Sequence, residues 1–234
     1  MIDAAQQEGV AVVTAHNRVV IESGTKKVFA TAIDWPGWSR SAKTEEDALE
    51  ALHQYAERYR VVLEKAGRKN LPASFEVVER LEGSGATDFG VPDKVADADH
   101  EPMTMAECER QLALLRACWD VFDEVAGRVS PELRKGPRGG GRDRDEIIEH
   151  VVQADRGYAR QIGVRTPPFD SFDAAAVSAH RKAVYAALPD LRDGEPVRPK
   201  AWPARYFVRR AAWHVLDHAW EMEDKDLTGG ADDG

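Results

Sequence analysis

Two histidines four residues apart, His214 and His218, lie in the largely apolar run Ala212-Trp213-His214-Val215-Leu216-Asp217-His218-Ala219-Trp220-Glu221. Side chains at i and i+4 stand one above the other on a helical face, so both imidazoles can reach one point in space. A third histidine, His150, belongs to a second amphipathic stretch that begins at Asp145, and its apolar neighbours Ile147 and Val151 point it inward. An imidazole from a facing helix completes a three-nitrogen metal site with a position left for water or substrate. Three neutral imidazoles suit divalent zinc, nickel or iron, and spacing does not choose among them. Asp217 and Glu221 are the nearby carboxylates that could fix a histidine tautomer, and Glu221 shares the face of the pair as a candidate catalytic proton shuttle. The competing reading is that all three are core histidines satisfied by hydrogen bonds.

Positive charge near these histidines could hold an anionic substrate. The run Arg134-Lys135-Gly136-Pro137-Arg138-Gly139-Gly140-Gly141-Arg142-Asp143-Arg144 reads either as a solvated loop or as an anion-binding loop, with Arg138 and Arg142 as its candidate substrate contacts. Arg210 precedes His214 by one turn and is a third candidate, although Arg209 and Arg210 both read as the solvated edge of their helix. Tyr206, Phe207, Trp213 and Trp220 read as core.

The remaining composition narrows the setting. The net charge of −9 argues against nucleic acid, whose phosphates need a concentrated positive surface. No window is apolar for the ~18 residues of a membrane span, and the first residues lack the basic and apolar blocks of a secretory signal, so the expected location is cytoplasmic. Cys108 and Cys118 fall on one predicted helix, about three turns apart, too far for a disulfide. They read as small buried apolar residues.

These residues need elements to hold them, and the chain divides into an α+β part and an all-α part. Residues 1–82 read as a small sheet-and-helix domain. Val10–Thr14 and Arg18–Glu22 are strands around a tight turn at His16-Asn17, and Lys27–Ile33 is a further strand closed by the turn Asp34-Trp35-Pro36-Gly37-Trp38. A helix capped by Thr44 runs to about Ala66, with Ala48, Leu52, Tyr55, Tyr59, Val62 and Leu63 on one face, and Phe75–Leu81 is the last strand. Residues 83–102, rich in Gly, Asp and Ala without a period, read as an interdomain linker carrying a solvated His100. Residues 103–226 hold four helical patterns, at about 104–129, 144–162, 172–188 and 204–225, expected to form a four-helix bundle. Residues 227–234 read as a disordered tail.

Two resemblances follow from these motifs. Val28-Phe29-Ala30-Thr31-Ala32-Ile33-Asp34-Trp35-Pro36-Gly37-Trp38, followed by Thr44-Glu45-Glu46-Asp47-Ala48-Leu49-Glu50-Ala51, resembles the HicB-like antitoxin fold over about 60 residues. No DNA-binding tail accompanies it, so the resemblance implies a reused fold serving as a dimerisation or lid module. The helices from 103 to 225 resemble the DinB/YfiT superfamily of four-helix bundles. Ile147-Ile148-Glu149-His150-Val151-Val152-Gln153-Ala154-Asp155 matches its histidine on the second helix, and Trp213-His214-Val215-Leu216-Asp217-His218-Ala219-Trp220-Glu221 its H-x-x-x-H pair on the last.

That resemblance implies a divalent metal held by His150, His214 and His218. It also implies a metal-dependent transferase or hydrolase acting on a small-molecule substrate, with a low-molecular-weight thiol such as mycothiol as a candidate co-substrate. The metal would lower the pKa of a water or thiol to give a nucleophile near neutral pH. The interval from His150 to His214 is short for the superfamily, so its substrate-loop roles do not transfer. The alternative is a non-enzymatic module in which the HicB-like part pairs with a partner or into a homodimer and the helices are structural.

Overall fold

The computed structural model describes residues 16–69, 71 and 74–228. Within them lie a four-stranded sheet and seven α-helices, a mixed α+β architecture. The strands are β1 (Asn17–Ser23), β2 (Val28–Ala32), β3 (Ser39–Ala42) and β4 (Phe75–Glu82), in the order β3-β2-β1-β4. β1 pairs antiparallel with β2 and parallel with β4, and β2 pairs antiparallel with β3. Asn17 belongs to β1, opposite Phe75 of β4, rather than to a turn at His16-Asn17. The strand expected at Val10–Thr14 and the tail from 229 onward lie outside the described residues.

The helix expected from Thr44 to Ala66 is two helices, α1 (Glu45–Gln54) and α2 (Ala56–Lys65), divided at Tyr55. Thr44 caps α1 as its side chain suggests, accepting a hydrogen bond from the Asp47 amide at 3.1 Å. The break lets Ala48 and Leu52 on α1 and Tyr59, Val62 and Leu63 on α2 all reach the buried cluster that holds Val19, Ile21 and Ala30 of the sheet.

The segment expected as a linker is folded. It forms α3 (Gly85–Phe89) and a 3-10 turn, Asp97–His100. Strand alternation is the cause: Val19 and Ile21 face one layer, whereas Val20 faces the other and needs a cover. Ala96 and Ala98 supply it, together with Ile33 and Leu81. Buried Glu22 on β1 ties the cover down, accepting hydrogen bonds from Thr87 Oγ1 at 2.5 Å and from the amides of Asp93 and Lys94 at 3.1 Å. His100 is exposed, as its position suggests.

Four longer helices follow: α4 (Met105–Arg128), α5 (Arg144–Ala159), α6 (Ala174–Ala187) and α7 (Ala204–Lys225). α7 packs along α4 and against α5, and α6 touches α5. Residues of the sheet, of α1 and α2, and of α4, α5 and α7 share one buried cluster, from Val19 to Met222. Among the described residues no helix is long and apolar enough to cross a membrane.

The turn Asp34–Trp38 is the joint between sheet and helices. The Pro36 carbonyl accepts the Tyr59 hydroxyl at 2.8 Å, and the Asp34 carbonyl accepts Arg110 Nη1 at 2.7 Å. Gly37 has φ +92°, and a Cβ there would lie 2.5 Å from Leu216 Cδ1 on α7. Only glycine combines this backbone with so close an approach.

Candidate metal centre

α7 is buried nearly all round, which explains why its sequence is apolar on more than one face. On its α5 side, His214 and His218 sit one turn apart with ring centroids 4.8 Å from each other. α5 meets them with His150, whose ring centroid lies 5.0 Å from each. The start of α5 is secured by a reach-back hydrogen bond from the Asp143 amide to Glu146 Oε2 at 2.9 Å, which sets the register of His150 seven residues on. Leu133 also donates its amide to Asp143 Oδ1 at 3.0 Å.

One nitrogen from each of the three imidazoles lies within 4.8 Å of the others, and Nε2 of His214 is 3.2 Å from Nε2 of His150. Nitrogens bound tetrahedrally to one zinc ion stand about 3.3 Å apart, because each Zn–N bond is about 2.0–2.1 Å. One pair already has that spacing, and a nitrogen of His218 lies within 4.8 Å of both.

The electrostatics favour neutral imidazoles at His214 and His150. Burial lowers the pKa of His214 well below the ordinary value, reinforced by the neighbouring His218, Arg210, His150 and Arg142. His150 is lowered too, by burial first and then by His218 and Arg142. A metal competes with protons for these nitrogens, so depressed basicity keeps the sites open to it at neutral pH. Glu221 Oε2 accepts from His218 Nδ1 at 2.8 Å, and its other oxygen pairs with Lys225 Nζ at 2.5 Å. With Nδ1 so engaged, Nε2 is the nitrogen of His218 that remains for a ligand. The same partners, His218 first, hold the Glu221 carboxyl down at about 2.

The other candidates divide. Asp217 leaves the histidines and pairs with Arg40 of β3 at 3.0 Å. Arg142 is exposed in the loop before α5 yet near enough to bias His150 and His214, whereas Arg138 is exposed farther back in that loop. Arg209 and Arg210 are buried, against the solvated edge expected of them. Arg209 pairs with Asp99 at 2.6 Å, because the folded 83–102 segment brings that carboxylate against α7. Arg210 stacks instead on Tyr158 and Trp213, with its guanidinium carbon 5.0 and 4.6 Å from the ring centroids. Tyr206, Phe207, Trp213 and Trp220 are buried, as read.

Tyr158 is the site neighbour that motif reading misses. Its ring lies 5.5 Å from that of His214 and 5.2 Å from that of Trp202. The spacing of 150, 154 and 158 on one helix was its available signal; Trp202, in an irregular segment, has none. Comparisons of the chain with protein-family models, with curated proteins and with solved structures find no match.

Proposed function

We propose that His150, His214 and His218 bind one divalent metal ion and that the protein is a metal-dependent transferase or hydrolase of the DinB-like type. The reading is carried by the convergence of three imidazole nitrogens within 4.8 Å from two separate helices. Three nitrogen donors would leave a coordination position open, the arrangement that separates reactive sites from closed structural ones. A divalent ion there supplies Lewis acidity toward a water or a thiol.

The chain's own residues divide the remaining work. Glu221 acts behind His218 as a positioning residue, fixing the tautomer that presents Nε2. Burial of His214, with Tyr158 beside it and Trp202 against Tyr158, keeps bulk water from that side of the cluster. Arg142 and Arg210 lend positive potential for an anionic small-molecule substrate or for the carboxylates of a thiol such as mycothiol.

Elemental analysis of the protein purified without a histidine tag tests this, beside a His214→Ala/His218→Ala variant. About one transition metal per chain, lost in the variant, is the expected result. Absence of metal from the wild-type protein, even after incubation with Zn²⁺ and Ni²⁺, would leave three core histidines and no metal centre.

A further inference from the structure

Three arginines lie buried on α7, and two have conventional partners. Arg205 donates to Glu107 at 2.8 Å and to the carbonyls of Glu101 and Pro102, and Arg209 is clasped by Asp99. Arg210 is the exception. It is only 7 % exposed, yet no carboxylate among the described residues pairs with it, and its Nη1 is buried without a hydrogen-bond partner. A cation removed from water without a counter-charge is costly, and such groups are retained where something else pairs with them.

The surroundings of Arg210 point the same way. Its guanidinium lies over the rings of Tyr158 and Trp213, and both rings border His214, at centroid distances of 5.5 and 6.1 Å. Stacking on aromatic faces orients the planar fork while leaving its edge free to donate. Trp213 is 5 % exposed, and its indole Nε1–H is also buried without an acceptor. Two unanswered donors, one charged and one neutral, therefore occur on side chains in mutual contact beside the histidine cluster. Donor-only groups of this kind match an anionic oxygen acceptor.

We propose that Arg210 and Trp213 form the subsite for the carboxylate of a small ligand whose other end reaches the three histidines. The second half of this statement rests on the metal reading above; the carboxylate subsite does not. A carboxylate group fits better than a phosphate group because the guanidinium balances the single negative charge it carries, whereas a phosphate can place two charges on that one guanidinium. The planar edge of the guanidinium also matches a carboxylate in two parallel hydrogen bonds.

The test is titration of the full-length chain with succinate, with neutral succinamide as the charge control, in metal-free and in Zn²⁺-loaded protein. The readout is the Trp213 indole N–H resonance in a proton–nitrogen correlation spectrum, assigned by its disappearance in Trp213→Phe. We expect succinate and not succinamide to shift it in the metal-free protein. Trp213→Phe should weaken succinate binding, followed by calorimetry, by about tenfold, as for one lost hydrogen bond to a charged group. Arg210→Gln should weaken it by about thirtyfold or more. If Arg210→Gln does not fold, the Trp213 resonance and the Trp213→Phe affinity still decide the matter. A resonance unmoved by saturating succinate, or moved equally by succinamide, overturns the subsite. A response to inorganic phosphate but not to succinate overturns its carboxylate specificity. Succinate binding to metal-free protein stands even where metal analysis fails, so the two readings fail separately.

Discussion

At the residue scale, the proposed metal centre would depend on how each imidazole is held as much as on the imidazoles themselves. His218 is the best supported, with its Nδ1 locked by Glu221 and Glu221 in turn locked by Lys225. His214 has the opposite character: it is 6 % exposed, and its Nδ1 is buried without a hydrogen-bond partner. Orientation of His214 therefore comes from packing against Tyr158 and Trp213, and orientation of His218 from a charged hydrogen bond. Glu221→Gln keeps an acceptor for Nδ1 but removes its charge. Zinc affinity, measured by competition with a chelator, should fall roughly 10- to 100-fold, whereas His218→Ala should lose the metal outright. Equal affinities of Glu221→Gln and wild-type protein would mean that the carboxylate plays no part at the centre. The two cysteines are no alternative ligands. Both are buried, and burial raises the Cys118 thiol well above its ordinary range.

At the scale of elements, α4 and α5 are joined by a buried polar pair. Trp119 on α4 donates its indole N–H to Asp155 Oδ2 on α5 at 3.0 Å, and Asp155 Oδ1 is buried with no partner. Burial pushes this carboxyl up to about 7, outweighing the opposing influence of Arg181 and the Trp119 hydrogen bond; nearby Asp123 pushes the same way as burial. Because the folded-state value is raised, the folded protein holds this proton to higher pH than the unfolded chain does. The associated stability is complete below the unfolded value, about 3.9, and is lost as pH rises through about 7. Asp155→Asn keeps the acceptor for Trp119 and removes the titration. Denaturant unfolding at pH 5 and pH 8 should show a wild-type protein that loses on the order of a few kcal/mol more than the variant across that interval. Parallel behaviour of the two proteins would show that Asp155 is ionised in the fold at both pH values.

At the scale of the whole molecule, the sheet and the long helices share one buried cluster, and the Asp34–Trp38 turn is pressed between them. Further ties run from Arg40 to Asp217 and from Arg58 to Glu223, with both guanidinium groups lying over Tyr55 and Trp220. α7 thus carries the histidines on one side and the sheet on the other. Disturbance of the joint should reach the proposed metal centre through α7. Gly37→Ala must adopt a positive φ and displace Leu216, a cost of about 1–3 kcal/mol. We expect one cooperative unfolding transition, shifted by that amount, together with weaker zinc binding. Two separate transitions, with only the first moved by Gly37→Ala, would show that sheet and helices unfold independently.

How much of this was legible beforehand can be judged element by element. Local chemistry located β1, β2, β4 and the four long helices, because strand alternation, the Thr44 cap and 3.6-residue periodicity are properties of neighbouring residues. The i, i+4 spacing of His214 and His218 and the amphipathic setting of His150 were likewise enough to bring the three to one point. Three features lay beyond such signals. The 83–102 segment reads as polar and aperiodic, and its fold exists only because Val20 on the far face of β1 needs cover and Glu22 needs donors. Arg209 and Arg210 read as solvated because charge predicts exposure; Asp99, more than a hundred positions away, and two aromatic rings overrule that. The Asp-Trp-Pro-Gly turn was recognisable as a turn but not as the joint that α7 rests on. Sequence alone determined which residues could ligate, cap or alternate, since these depend on short-range geometry. The tertiary structure alone decided which charges are paired, which remain buried and unanswered, and what covers each face, because those depend on residues distant in the chain.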